Sequence, residues 1–177
     1  MRVRAATPAD AGAIAEIYRP YVEASYISFE TEAPDVDEIA RRMGSAGVLY
    51  PWLAAEDEAG RLAGYAYACA FRPRAAYRFA VETSVYVRHG AHGRGIGAAL
   101  YAPLLEMLAR QGFTQAIAAI SLPNPASVAL HERFGFRGAG TYEQVGWKLG
   151  RWHDVGLWQR PLAAAADPPA EPRPYRP

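Results

Sequence analysis

A glycine-rich segment near the middle of the chain has the composition of an anion-binding loop. It reads His92-Gly93-Arg94-Gly95-Ile96-Gly97 and connects a predicted strand, residues 79–87, to a predicted helix, residues 97–111. Glycine lets a ligand approach the backbone closely, and the unpaired amides at the start of a helix favour an anion. Arg88 and Arg94 add positive charge. The segment predicts a pyrophosphate-binding loop, and a tight turn that uses glycine only for its geometry is the alternative.

Two well-known nucleotide-binding loops fit this segment poorly. A P-loop requires Gly-Lys followed by Ser or Thr, whereas this segment continues as Gly95-Ile96-Gly97-Ala98. A dinucleotide-binding fingerprint requires an acidic residue about 20 residues further along the chain. No acidic residue occurs between positions 110 and 130. A nucleotide-binding protein of either kind is therefore disfavoured.

A second segment, residues 122–136, carries polar side chains at helical spacing. Asn124 suits a helix N-cap, and Pro125 suits the first helical position after it. Residues three and four positions apart share a helix face, so Asn124, Ser127 and His131 can reach one ligand. The alternative is a helix cap followed by an ordinary surface histidine.

Glu82 lies on the otherwise apolar strand predicted for residues 79–87. A buried carboxylate without a partner is costly, so its place on this strand favours a functional role. A position at the exposed rim, or in a structural ion pair, is the alternative. Glutamate and histidine both act as general bases, and Glu82 and His131 are therefore the two candidates to deprotonate a substrate.

The elements that must position these residues alternate between strands and helices. The predicted order is β-α-α-β-β-β-α-β-α-β-β, and the consecutive central strands predict hairpins within a mixed α/β (α+β) sheet with helices on its faces. Only the strand, glycine loop and helix at 79–111 require a parallel crossover. Predicted strands cover residues 2–6, 50–55, 62–70, 79–87 and 114–120, with two more between 136 and 162. Predicted helices begin near Pro8 and at residues 34, 97 and 123, and the second stops at Gly44.

Composition predicts a single globular domain, since the 177 residues are 51% hydrophobic and 21% charged. We assign residues 1–162 to this domain and expect the Ala- and Pro-rich tail, residues 163–177, to be disordered. The formal net charge of +1 disfavours nucleic acid and anionic membranes as partners. Cys69 is the only cysteine, which excludes an internal disulfide and a cysteine-rich zinc site. No apolar run approaches the ~20 residues that span a bilayer, and no signal sequence opens the chain, so we expect a cytoplasmic protein.

Both polar segments resemble motifs of the GNAT acyltransferase superfamily. The acyl-CoA-binding motif of that family is usually Gln or Arg, two residues, Gly, one residue, then Gly or Ala, and here it begins with His92. The family's second motif is Asn, two residues, Ala or Ser, three residues, then Tyr, followed by Gly-Phe. Asn124 and Ser127 match it, and His131 stands in the place of the tyrosine. The resemblance implies a mostly antiparallel sheet flanked by helices and acetyl-CoA as co-substrate, with no metal.

Four stretches together resemble the branch that acetylates phosphinothricin and methionine sulfoximine. They are residues 81–87, 95–101, 122–132 and 145–159, and the resemblance extends from about residue 2 to residue 162. It implies that Glu82 and His131 form the catalytic pair, one as the base and the other as an acid or an orienting group. The implied cofactor-binding residues are Val85, Tyr86, Val87, His92, Gly93, Arg94, Gly95, Ile96, Gly97, Asn124 and Ser127.

The resemblance also implies a site for a small amino-acid-like amine. Its implied residues are Phe29, Arg72, Arg74, Tyr77, Val145, Gly146 and Lys148, the last three at the substrate end and donated across the interface of a homodimer. Guanidinium groups suit a carboxylate, although solvated loop arginines are the alternative. Phe29 could instead be ordinary core, and Tyr86 a packed aromatic rather than an acid.

The sequence thus predicts an acetyl-CoA-dependent N-acetyltransferase for a small amino-acid analogue. Two alternatives stay open. One is an acetyltransferase for a protein N-terminus, a lysine or another small amine, and the other is a non-catalytic sensor of acyl-CoA.

Overall fold

The computed structural model describes residues 1–175 and contains one seven-stranded sheet with the order β1-β2-β3-β4-β5-β7-β6. Every neighbouring pair is antiparallel except β4 and β5, so the predicted mixed, mostly antiparallel sheet is confirmed. The strands are β1 (Arg2–Ala5), β2 (Trp52–Glu56), β3 (Leu62–Ala70), β4 (Ala80–Val87), β5 (Gln115–Ser121), β6 (Arg137–Lys148) and β7 (Arg151–Pro161).

Four helices cover the two faces of the sheet, and they occur in the predicted order. They are α1 (Ala11–Glu23), α2 (Val36–Ala46), α3 (Ile96–Gln111) and α4 (Pro125–Arg133), and short 3-10 turns lie at Pro8–Asp10 and Ala75–Tyr77. The prediction that the second helix stops at Gly44 was wrong. A glycine inside a helix costs only about 1 kcal/mol. The helix ends instead where Gly47 adopts a positive φ of 56°.

The two faces of the sheet carry separate hydrophobic clusters. One joins α3 to the sheet through side chains such as Leu100, Tyr101 and Leu104, while the other joins α1 and α2 to the opposite face through Ile14, Ile39 and others. Successive side chains along a strand point to opposite faces. Neighbouring residues of β4 therefore face different clusters, which decides how the candidate catalytic groups are arranged.

The sheet opens between β4 and β5. These two strands pair only from Ala80–Glu82 to residues 115–117, although β4 continues to Val87 and β5 to Ser121. Past Glu82, β4 keeps its partner β3 on one edge, and β5 keeps its partner β7. The result is a wedge-shaped gap with β4 on one side and β5 on the other.

Residues 163–175 contain no helix or strand, and they contact the domain at three places. Glu171 accepts from the Arg78 guanidinium at 2.7 Å, the Gln111 side-chain amide donates to the Arg173 carbonyl at 2.9 Å, and the Tyr175 amide donates to the Val48 carbonyl at 2.9 Å. The disorder expected for residues 163–177 stays a prediction, and its last two residues lie outside the described part. Across residues 1–175 none of the helices combines the length and the apolar character that crossing a membrane requires.

Candidate active site

The wedge between β4 and β5 exposes backbone groups that have no strand partner. The Arg88 amide points to β3, where it donates to the Ala63 carbonyl at 2.8 Å. The Phe79 carbonyl points to the other side and accepts from the amide of Thr114, next to β5. Because hydrogen-bonding direction alternates along an antiparallel strand, the backbone groups of Val85 and Val87 face the gap. Those of Tyr86 pair with β3. Of the predicted cofactor residues on β4, the two valines therefore offer backbone atoms, whereas the Tyr86 ring packs against Tyr18, Tyr21 and Tyr65 on the opposite face of the sheet.

The glycine loop adjoins the wedge and leads into α3. Gly93 and Gly95 adopt φ values of 76° and 78°, which glycine tolerates without strain, and a Cβ at either would meet no atom within 4 Å. Gly95 is the N-cap, and the first amide to bond back along the helix is that of Ala99, to the Gly95 carbonyl at 3.0 Å. The amides of the first turn are therefore free for an anion.

A cleft of about 540 Å³ runs along this loop between α3 and α4. It is bordered by most of the predicted cofactor residues, which are Val85, Tyr86, Val87, His92, Gly93, Gly95, Ile96, Gly97, Asn124 and Ser127. The guanidinium group at its edge is that of Arg133, which the sequence analysis did not single out. Arg94 is exposed on the loop, and Arg88 instead donates to the Leu62 carbonyl and pairs with Glu16 at 3.5 Å. This combination of free amides and a cationic rim suits a phosphate-bearing ligand such as an acyl-CoA.

Asn124 and Ser127 organise the start of α4 as the spacing predicted. The Asn124 side chain caps the helix by accepting from the Ser127 amide at 3.1 Å, and Pro125 takes the first helical position. The Leu122–Pro123 peptide before the cap is cis. Asn124 and Ser127 both border the cleft and also a small cavity of about 50 Å³ inside the wedge.

His131 is buried, with 3% of its surface exposed, and both of its ring nitrogens are occupied. Nδ1 donates to the Ser127 carbonyl at 2.7 Å, so Nε2 accepts from the Tyr101 hydroxyl at 2.7 Å. Because that hydroxyl has a single proton, Thr83 donates to Tyr101, also at 2.7 Å. Burial lowers the pKa of His131, which keeps the imidazole neutral at neutral pH. The structure thus arranges Thr83, Tyr101 and His131 as one hydrogen-bonded chain beside the wedge.

Glu82 lies on the other face of the sheet from His131. Thr83 points toward Tyr101 and His131, so its neighbour Glu82 points toward the α1 and α2 side. Burial raises the pKa of Glu82, and the charge of Arg72 opposes that shift in part. Among residues 1–175 no hydrogen bond or ion pair holds the Glu82 carboxylate, which leaves it available to a substrate. The predicted pair flanks β4, and its two members do not contact each other.

The predicted substrate residues fall into two groups, and the first lies beyond the end of β3. Arg72, Arg74 and Tyr77 are exposed there. The Arg72 guanidinium lies 5.1 Å from the Phe71 ring centroid, and the Tyr77 ring packs edge-on against Phe71 at 5.7 Å. Of these three residues, Arg72 is the one whose positive charge lowers the pKa of Glu82, against the effect of burial.

The second group is formed by the loop after α1 and the β6–β7 hairpin. A Cβ at Gly146 would lie 2.1 Å from the Phe29 ring, so only glycine permits this close approach. The Lys148 ammonium is buried and donates to the Ser28 and Glu30 carbonyls at 2.7 and 2.8 Å. Gly146 and Lys148 therefore support the Phe29 loop of their own chain. Their expected donation across an interface stays a prediction. Val145 is exposed.

An aromatic cavity of about 340 Å³ lies between α2 and the sheet on the Glu82 side. The Trp52 and Tyr67 rings stack at 4.3 Å in its wall, and Cys69, also in the wall, is the direct cross-strand partner of Glu82. Burial raises the pKa of the Cys69 thiol to about 11, as expected of an unreactive cysteine. The cavity offers room beside Glu82 for the side chain of a small ligand.

Tyr101, Thr83 and Tyr21 belong to the site, and sequence reasoning did not assign them a role. Each lies on an apolar helix face or strand where an aromatic or β-branched residue is ordinary core. A usable signal was present for Tyr101 alone, because its hydroxyl, in the core of α3, needs a buried partner. Its partner, His131, was already a candidate.

Known proteins of similar sequence identify the family of this chain. A family model described as an acetyltransferase (GNAT) domain matches residues 3–157. A phosphinothricin N-acetyltransferase of Streptomyces viridochromogenes is 43% identical over 177 residues, which cover 100% of this chain and 94% of that protein. An L-methionine sulfoximine/L-methionine sulfone acetyltransferase of Salmonella typhimurium is 35% identical over 96% of this chain and 99% of its own length.

A solved structure gives the same result for the fold. The phosphinothricin acetyltransferase of Sinorhizobium meliloti, in complex with AcCoA, superposes with a TM-score of 0.91 at 42% identity and covers 97% of this chain and 92% of its own. The family expected from the two motifs is confirmed over most of the sequence. The chain belongs to the GNAT acetyltransferase family.

Proposed function

We propose that this protein transfers the acetyl group of acetyl-CoA to the amine of a small amino-acid analogue of the phosphinothricin or methionine sulfoximine and sulfone type. The observation that carries the proposal is the wedge at β4, which has free backbone groups and a glycine loop on one side and an unpaired, half-buried Glu82 on the other. The names of the relatives support the same class of acceptor.

The two faces of β4 suggest that the two substrates approach from opposite sides of this strand. Acetyl-CoA supplies the thioester from the cleft side, where the loop amides hold its phosphates. The acceptor amine approaches from the Glu82 side, where the carboxylate removes a proton directly or through water before the amine attacks. A free N–H of β4, such as that of Val85, stabilises the developing oxyanion. The chain from His131 through Tyr101 to Thr83 lies on the thiolate side. Because the His131 ring is neutral and its one N–H is held by the Ser127 carbonyl, this favours an orienting role for His131 over that of an acid.

The test of the function is a thiol-release assay with acetyl-CoA and a panel of amines. The panel contains phosphinothricin, methionine sulfoximine, methionine sulfone, standard amino acids, polyamines and an N-terminal peptide. Turnover on the first three with little on the peptide supports the proposal. Turnover on the peptide alone favours an acetyltransferase for protein N-termini. Tight acetyl-CoA binding without release on any amine favours the sensor.

Arg72 is the residue we propose for the acceptor's carboxylate. We expect Arg72→Gln to raise the amino-acid KM by about tenfold or more, because a hydrogen bond to a charged group is lost, with a smaller change in kcat. Steady-state kinetics with methionine sulfone measures both constants. Arg110→Gln, on the exposed face of α3, is the matched control. An unchanged KM in Arg72→Gln would reject this placement.

A homodimer is the assembly we propose, and the β6–β7 hairpin is its interface. The hairpin forms the free edge of the sheet and exposes large apolar side chains. They are Tyr142, Val145, Trp147, Leu149 and Trp152, between 46% and 59% exposed. A long apolar edge strand of this kind needs a cover in a stable protein.

The hairpin proposal predicts the oligomeric state of a variant. We expect the wild-type chain to elute as a dimer in size-exclusion chromatography with light scattering, and Trp147→Ser/Trp152→Ser to elute as a monomer. Val48→Ser, at another exposed apolar residue, should leave the dimer intact. A monomeric wild type at micromolar concentration would contradict the assignment. The cytoplasmic location expected from the sequence stays a prediction.

A further inference from the structure

His92 stands where the GNAT motif usually has Gln or Arg, and the structure fixes its tautomer. Its Nε2 lies 2.8 Å from the Tyr21 hydroxyl, which is also 2.5 Å from the Val87 carbonyl. The carbonyl can only accept, so Tyr21 donates its single proton to Val87. Nε2 must then carry the proton that it donates to Tyr21, and the other ring nitrogen, Nδ1, holds a lone pair.

The lone pair on Nδ1 is mismatched to the ligand of this cleft. His92 is exposed and borders the cleft together with Gly93, Gly95 and the start of α3. The free amides of that turn are donors arranged for an anion. A nitrogen lone pair beside an anionic pyrophosphate is repelled, whereas the side chain of Gln or Arg at this position would offer N–H donors. A histidine becomes an equivalent donor only after Nδ1 gains a proton.

The family motif already implies that His92 lies at the pyrophosphate of acetyl-CoA, and we propose that its Nδ1 takes up a proton when the cofactor binds. Tyr21 keeps the ring in place by accepting from Nε2 in both protonation states. The proposal rests on acetyl-CoA as the ligand of this cleft and adds a pH dependence of binding that the fold does not require.

The surroundings of His92 favour the neutral ring before the ligand binds. Partial burial lowers the pKa of His92, and the neighbouring His89 lowers it further, with the two ring centroids 5.5 Å apart. Tyr21 of α1 and the Val87 carbonyl of β4 are uncharged, and the first turn of α3 holds no acidic residue. Arg133 of α4 is the cation at the rim, and Arg88 of the loop is paired with Glu16 of α1. A bound dianion reverses this balance and raises the pKa of His92.

Proton uptake on binding is the direct measurement. Calorimetric titration at about pH 6.5, in buffers of different ionisation enthalpy, counts the protons taken up. Acetyl-dephospho-CoA is the probe, because the 3′-phosphate of CoA has its own pKa of about 6. We expect net uptake by the wild-type protein and a several-fold gain in affinity between about pH 8 and about pH 6, at up to about tenfold per unit of pKa shift.

Two variants and a control isolate His92 from the other histidines. His92→Gln should show no uptake and an affinity that does not change with pH. His92→Arg, permanently charged, should bind with a pH-independent affinity at least equal to that of the wild type at low pH. His89→Gln should keep the wild-type uptake. Equal uptake by the wild type and His92→Gln would overturn the proposal. Absence of acetyl-CoA binding by the wild type would overturn the proposed function along with it.

Discussion

Replacing Glu82 with Gln is expected to lower kcat by about 10²- to 10⁴-fold, the usual contribution of a positioned general base. Gln keeps the size and polarity of the side chain but cannot accept the proton of the ammonium. The affinity for acetyl-CoA should stay close to that of the wild type, because Glu82 faces α1 and α2 while the cofactor cleft lies along α3 and α4. Single-turnover kinetics and calorimetric binding of acetyl-CoA separate the two quantities.

The pH profile gives the same prediction a second, independent readout. Glu82 acts as a base only when it is ionised, and burial raises its pKa above the ordinary glutamate value. For the wild type, kcat/KM should therefore be low at pH values below this raised pKa and should increase as the pH rises through it. In Glu82→Gln that limb should disappear. If kcat/KM of the variant still rises over the same pH range, the titration belongs to another group.

The stability of Glu82→Gln distinguishes lost catalysis from lost folding. A carboxyl group whose pKa is raised in the folded state favours folding in its protonated form, and that contribution is lost as pH rises through the folded pKa. At neutral pH the neutral Gln should therefore be tolerated at least as well as the buried charge, so the Tm of the variant should not fall. Glu58→Gln, in the exposed β2–β3 turn, is the control and should change neither kcat nor the pH profile.

Local patterns in the sequence located the groups of the site but not their mutual geometry. The glycine loop, the Asn124 cap and Glu82 were recognisable because each depends on a few neighbouring residues. Contacts between distant residues were not recognisable. Tyr21 bonds His92 across 71 positions, and Lys148 bonds Ser28 across 120. No periodicity in one segment reports which residue of another segment will meet it.

The relation between Glu82 and His131 shows the same limit. Resemblance predicted that they work together, and the residue types agreed. Their separation by β4 follows from strand alternation, which becomes informative only once Thr83 is known to point toward Tyr101. This separation is the reason we propose different partners for them, the acceptor amine for Glu82 and the leaving thiolate for His131.

A variant of Tyr101 tests most directly whether Glu82 and His131 have these separate roles. Tyr101→Phe removes the hydroxyl that donates to His131 Nε2 and accepts from Thr83. It leaves a buried ring nitrogen without a partner, at a cost of about 1–3 kcal/mol in the free energy of unfolding. If the chain orients the groups beside the leaving thiolate, kcat should fall by about tenfold to hundredfold, at the low end of acid–base effects. The pH limb set by Glu82 should persist.

A double mutant decides whether Tyr101 and His131 act as one unit. Members of such a unit are strongly non-additive, because removing either one breaks the chain. Tyr101→Phe/His131→Gln should therefore lose no more activity than the worse single variant. Tyr175→Phe, at a half-buried tyrosine that borders neither the wedge nor the cleft, controls for removal of a hydroxyl. Effects that multiply would mean that His131 contacts the reacting groups without Tyr101, and its Nε2 would then have to turn from the core into the wedge during the reaction.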